Sequence, residues 1–296
     1  MALDGYPSAS NFLADLGMEA EVTTETSARV RIPVTAEVVG ADGGVRAGVL
    51  ATLVDVVGGS AALRAVLPDW MATADLTVQT VRPAAGPLVE ARADVVRRGR
   101  TTLVVEASVV DVPGGNGPMA GDPADPADPV VAWATMTFAV LPSRTGLPMR
   151  DVSTALPVRW SLAGAGLAGP VAESLGVVVD DGPAGRVSLP VHRYLHNSFG
   201  AVQGGVMALV AEVAALETLG AARGEPMVAT GLQVAYLALG RIGPIVSRTR
   251  VLDPGTAGVG GSVVVEMVDR GADDRVTTVV NVAAAPLVPA AVGAGR

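Results

Sequence analysis

The 296-residue chain contains no cysteine and no lysine. Without cysteine there is neither a disulfide framework nor a thiolate metal site. His192 and His196 alone could offer imidazole ligands. All 21 basic residues are arginine, which reads as coding bias, and they are outnumbered by 29 acidic ones for a net charge of −8. That balance, without a basic tail, argues against nucleic acid, whose binding needs a basic face. It argues equally against polybasic contact with a membrane. Aromatic residues are scarce, at 3%. Residues 1–10 lack the basic start and apolar run of a secretory signal, so a cytoplasmic protein is expected.

Apolar residues, by contrast, make up half the chain, enough for a substantial core in each of the two domains that this length predicts. Two stretches, 45–67 and 203–222, are apolar almost throughout. A membrane span needs ~20 such residues. Asp55 and Glu212 sit inside these stretches, however, and an ionised group in a bilayer is costly. A helix wrapped by a sheet accounts for all-round apolarity equally well.

The chain says nearly the same thing twice. A constant offset of 157 residues lays Gly43 on Gly200, Gly48 on Gly205 and Asp55 on Glu212. The same offset lays the run from Arg29 on that from Arg186, and Gly86-Pro87 on Gly243-Pro244. Similarity at one fixed offset marks a duplication. Each half reads as strand, loop, long helix and four strands: 28–34, 45–67, 71–82, 88–96, 101–111 and 130–141, then 186–191, 203–222, 227–239, 245–252, 260–269 and 276–286. Long strands joined by short turns predict an antiparallel meander. Outside the repeat stand a proline-rich hairpin loop at 113–129, a joining segment from 142 to 169 that carries Trp160, and a small-residue tail from 288.

Gln203-Gly204-Gly205 stands where a loop becomes a helix. Glycine lets another group approach the backbone closely, and the unpaired amides of a helix start suit an oxyanion. The glycines could equally only relieve crowding of the helix against the sheet. Glu212 follows Gly205 by seven residues, within ~20° of two full turns, so both lie on one helix face. Asp55 bears the same relation to Gly48. Buried carboxylates cost stability unless paired or functional, and two at duplicated positions point to function.

The pattern Asn197-x-x-Gly200-x-x-Gln203-Gly204-Gly205, with Glu212 beyond it, resembles the hotdog-fold acyl-CoA thioesterases, most nearly the phenylacetate-pathway and 4-hydroxybenzoyl-CoA group. Gln203 stands where many members have histidine. The turn Arg98-Gly99-Arg100-Thr101 resembles the Gly-Arg turn that often lies near CoA in that family, although it could equally be a solvated hairpin.

The resemblance implies an α+β chain of two tandem hotdog domains, each an antiparallel sheet wrapped around a long central helix, packed as a pseudo-twofold double hotdog. The N-terminal hotdog (1–141) carries a degenerate motif. A linker (142–169) and a C-terminal hotdog with the intact motif (170–296) follow. The implied reaction is hydrolysis of an acyl-CoA thioester, with no metal and no cofactor beyond the CoA of the substrate. The acid would act as base or nucleophile, and the Gly204–Gly205 amides, helped by Asn197 or Gln203, would hold the oxyanion.

In such folds the acid of one hotdog reaches the helix start of its neighbour. Crossing the halves pairs Asp55 with Asn197, Gly204 and Gly205, and pairs Glu212 with Gly40, Arg46 and Ala47, which lack the carboxamide. Asp55 is therefore expected to be the working acid, although a search for the motif alone would choose Glu212. His192 and His196 read as polar loop residues. Two rivals stand beside hydrolysis: binding of acyl-CoA or an acyl chain without chemistry, and enoyl-CoA hydration, for which neither histidine has an Asp partner nearby. The few aromatics hint at an aliphatic acyl pocket. Self-association of double-hotdog chains is expected, with neither nucleic acid nor membrane as partner.

Overall fold

Runs with alternating burial fold as strands, and the two all-apolar runs fold as helices. The computed structural model describes residues 10–84, 86–112, 128–142, 155–256 and 259–287. Residues 1–9, linker residues 143–154, the tail from 288 and the proline-rich insertion before Asp128 lie outside them. In chain order the first half comprises α1 (Phe12–Asp15), β1 (Glu19–Val22), β2 (Ser27–Pro33), α2 (Ala47–Val66), β3 (Trp70–Thr80), β4 (Leu88–Arg98), β5 (Thr102–Val112) and β6 (Val130–Leu141). A strand in the joining segment, β7 (Val158–Ser161), comes next. The second half comprises α3 (Val171–Ser174), β8 (Val178–Asp181), β9 (Arg186–Leu189), α4 (Gly204–Arg223), β10 (Met227–Tyr236), β11 (Ile245–Asp253), β12 (Gly261–Asp269) and β13 (Arg275–Pro286).

The strands form one sheet in the order β7-β1-β2-β4-β5-β6-β3-β10-β13-β12-β11-β9-β8. Read outward from β3 and β10, the two arms run through the same duplicated strands. The expected meander holds only for β4-β5-β6 and β11-β12-β13. β3 lies beyond β6 rather than beside β4, and there Asp75–Gln79 pair antiparallel with Gly231–Ala235 of β10. That placement removes an exposed edge from each half, since unpaired strand edges invite aggregation. β7 pairs with β1 and extends the first arm alone.

α2 packs on β2–β5 and α4 on β9–β13, and the helices also pack on each other. Leu50, Leu53, Val54 and Val57 of α2 are wholly buried, as are Leu209, Val210 and Leu219 of α4. Each such side chain contributes about 1.5–3 kcal/mol when taken from water. Both helices are long and apolar enough to cross a membrane, but most of each is enclosed by the sheet and the other helix.

The helix crossing uses the duplicated glycines. A Cβ on Gly48 would collide with the backbone of Leu209, and one on Gly205 with the backbone of Thr52. Residue 48 meets 209 while 52 meets 205, so the helices run antiparallel. The crowding that Gly205 relieves is against the other helix, not against the sheet.

Candidate active site

The antiparallel crossing fixes where each acid lands. Three residues beyond Thr52, Asp55 comes level with the start of α4. Its Oδ2 lies 3.1 Å from where a Cβ on Gly204 would stand. Three residues beyond Leu209, Glu212 comes level with the start of α2. There Gly48 N–H donates to Glu212 Oε2 at 3.0 Å, and Arg46 Nε lies 3.6 Å from the same oxygen. Each acid therefore faces the other half's helix start.

The two sites differ in what remains open. Asp55, Asn197, Gln203 and Gly204 line one cavity of about 720 Å³. Thr73 Oγ1 donates to Asp55 Oδ1 at 2.7 Å. Burial pushes the Asp55 carboxyl up to about 6, against the pull of the Thr73 hydrogen bond. Glu212, Arg46 and Ala47 line a second cavity of about 1420 Å³, in which the acid is already held by an amide and a guanidinium.

Asn197 shapes the loop as well as the cavity. Its Oδ1 accepts from Phe199 N–H at 2.9 Å and Ala201 N–H at 3.2 Å. With the oxygen so used, the Nδ2 group is the part of the carboxamide left to donate. Gly40 keeps the same backbone turns as Asn197: Gly40 N–H donates to Gly44 O as Asn197 N–H does to Ala201 O. The first-half loop thus keeps its shape without the donor. Gln203 Nε2 reaches His196 O at 3.4 Å, a long contact. The N–H groups of Gly204 and Gly205, in the first turn of α4, have no intrahelical partner by position. Gly204 lines the cavity, whereas Gly205 is buried against Thr52.

Several site groups were not legible in the sequence. Thr73 comes from β3, which packs on α2 in the same half, and Tyr236 comes from β10, which the joining of β3 and β10 brings to the Asp55 cavity. Trp160 stands in the joining segment outside the repeat, yet Val158 and Trp160 of β7, with Leu162, form part of the cavity wall. Five of the nine aromatics, Trp70, Phe138, Trp160, Phe199 and Tyr236, line this cavity. Trp70 and Phe199 pack with ring centroids 5.5 Å apart. Low aromatic content overall therefore does not mean an aliphatic wall here.

Arg98, Gly99, Arg100 and Thr101 form the β4–β5 turn, closed by Gly99 N–H donating to Thr102 O at 2.8 Å. They line neither cavity, and both arginines are exposed. The turn does lie at the cavity's end of the sheet, because Leu103 pairs with Phe138 and Phe138 with Thr73. His192 stacks on Tyr194, while both ring nitrogens of His196 are buried without partners. Among the described residues no three His, Asp or Glu side chains gather as a metal would require.

The sequence profile of the Thioesterase superfamily matches residues 43–117, across α2 and β3–β5. A "Putative esterase" of Halobacterium salinarum is 38% identical over 115 residues, which cover 36% of this chain and 75% of that relative. The crystal structure of a "putative thioesterase" from Novosphingobium aromaticivorans covers 90% of this chain and 97% of its own, with a TM-score of 0.56 at 15% identity. That of an "oleoyl thioesterase (putative)" from Lactobacillus plantarum covers 94% and 99%, with a TM-score of 0.57 at 10% identity. The last two likenesses speak for the fold alone, and they carry it through both halves. By its sequence match to that relative, by the superfamily profile and by its fold, the chain belongs to the hotdog-fold thioesterase superfamily.

Proposed function

We propose that the protein hydrolyses acyl-CoA thioesters at one site, built from both halves of a pseudo-twofold double hotdog. The halves are 1–141 and 170–296, joined by 142–169, and the enzyme is cytoplasmic. The observation that carries the reading is the Asp55 carboxylate set against the first turn of α4, at an apolar cavity. An acid beside unpaired helix amides is the pairing that acyl transfer to water requires.

In this reading the acyl group occupies the cavity among Trp70, Phe138 and Trp160. Gly204 N–H and Asn197 Nδ2 hold the thioester oxygen. Asp55 takes a proton from a water molecule as that water's oxygen attacks the carbonyl carbon. The tetrahedral adduct collapses, the carbon–sulfur bond breaks, and the departing CoA thiolate receives the proton. Arg98 and Arg100 hold CoA phosphate oxygens, for which guanidinium forks are suited. In the second site Glu212 is already held by the Gly48 amide and faces Arg46, so that acid is not free to act as the base.

Thiol release across a panel of acyl-CoAs tests the activity, and two variants test the site. Asp55→Asn should lower kcat by 10²-fold or more, as expected when a general base is lost. Glu212→Gln should keep much of the activity. A dead Glu212→Gln beside an active Asp55→Asn would refute the crossed site, and no thiol release from any acyl-CoA would refute the activity.

A further inference from the structure

Tyr236 ends β10, in the second half, and its side chain reaches the same point above Gly204 as Asp55 from the first half. A Cβ on Gly204 would lie 2.8 Å from the Tyr236 hydroxyl oxygen and 3.1 Å from Asp55 Oδ2. Two oxygens from opposite halves thus converge on this glycine. The Tyr236 hydroxyl is closed off from solvent and has no hydrogen-bond partner. A buried donor left unpaired is destabilising, and native structures retain few such groups.

The groups facing Asp55 are few. Thr73 on β3 donates to Oδ1, the start of α4 presents its amides, and Tyr236 on β10 stands on the side of Oδ2. Asp75, also on β3, bears on the phenol from a distance. Burial first, then the charges of Asp55 and Asp75, hold the phenol well above its usual range, so it stays protonated and can donate. The duplicated positions sharpen the point. At the 157-residue offset Thr73 corresponds to Thr230, but Tyr236 corresponds to Gln79. The phenol therefore belongs only to the site with the open acid.

We propose that Tyr236 is a positioning residue: its hydroxyl closes onto Asp55 Oδ2 when the carboxyl ionises, so that Thr73 and Tyr236 hold one oxygen each. This rests on the reading of Asp55 as the working acid. The clamp favours the charged form and aims the carboxylate at the water above Gly204. It also joins the halves, because the acid and one of its donors come from opposite sides of the β3–β10 junction.

The test is to titrate the Asp55 carboxyl carbon by NMR in the full-length chain labelled with ¹³C-aspartate, assigned by its disappearance in Asp55→Asn. Wild type, Tyr236→Phe and Thr73→Val are compared. Tyr236→Phe removes only a hydroxyl that has no partner, and Gln79→Leu at the duplicated position serves as control. Tyr236→Phe should raise the Asp55 midpoint by about one unit, the worth of one hydrogen bond to a charged group. The acid limb of kcat/KM should move up with it. Gln79→Leu should leave the midpoint in place. A midpoint in Tyr236→Phe that stays put or falls overturns the proposal, whatever happens to thermal stability. Absence of turnover in wild type would instead sink the hydrolase reading, so the two failures are told apart.

Discussion

Asp55 and Glu212 stand at duplicated positions and differ by one methylene, and that methylene separates an open site from a filled one. Glu212 is long enough to accept from the Gly48 amide, whereas Asp55 stops short and is held by Thr73. Asp55→Glu, conservative in charge, should therefore reach the Gly205 amide as Glu212 reaches that of Gly48, leave the catalytic position and lose most activity. Steady-state kinetics beside Asp55→Asn checks this, and near wild-type turnover in Asp55→Glu would contradict it. The pH dependence follows from the same residue. In the proposed reaction the acid works ionised, so kcat/KM should rise with pH through about 6. The folded carboxyl lies above its ordinary 3.8, so the neutral form suits the folded state better. Its contribution to stability is fully present below about 3.8 and is lost as pH rises through about 6. Asp55→Asn should consequently stabilise the protein at pH 8 by on the order of 3 kcal/mol, read from denaturant midpoints. The acids were legible because the duplication places them in register, and their crossing because the family resemblance implied it. Thr73 and Tyr236 were not, because nothing in a valine-rich strand marks the one hydroxyl that will face an acid on another element.

At the scale of elements, α2 and α4 matched their expected limits to within two residues, since an apolar run bounded by glycine and proline leaves little choice. The four-residue strands β1, β7 and β8 were not anticipated. Four residues show too little alternation to stand out, and their pairing comes from neighbours distant in sequence. β7 matters most of these, because it lies outside the repeat and still walls the cavity beside Asp55 with Val158 and Trp160. Trp160→Ala should shift preference toward bulkier acyl groups and lower kcat/KM for the best wild-type substrate by 10-fold or more, in line with lost apolar contact in a pocket. A panel of acyl-CoAs reads this directly, and an unchanged preference would place the acyl group elsewhere. Gly205 answers to a different demand. Its methyl analogue meets the Thr52 backbone, which no rotamer change can relieve. Gly205→Ala should cost about 1–3 kcal/mol through overpacking at the helix crossing, measured by chemical denaturation.

The molecule as a whole brings side chains of both halves to one cavity. β3 and β10 join the arms edge to edge, the helices cross at Gly48 and Gly205, and each acid is thereby carried to the other half's helix start. The duplication made the two arms legible, but not the strand order, because β3 reaches β10 only by stepping past β6. The linker adds a consequence that separate subunits would lack: Asp55 and Asn197 of one chain meet in one cavity of that same chain. Asn197→Asp keeps the oxygen that closes the loop but removes the donor and adds a charge, so it should be as inactive as Asp55→Asn. Mixing the two inactive full-length variants, with co-refolding from denaturant, should restore no activity, because every chain then carries one broken half of the proposed site. If the chains instead exchanged halves to build sites between molecules, a fraction of sites would recover both wild-type groups and thiol release would return. Light scattering on the same samples reports whether chains associate, and association without restored activity leaves the within-chain site intact.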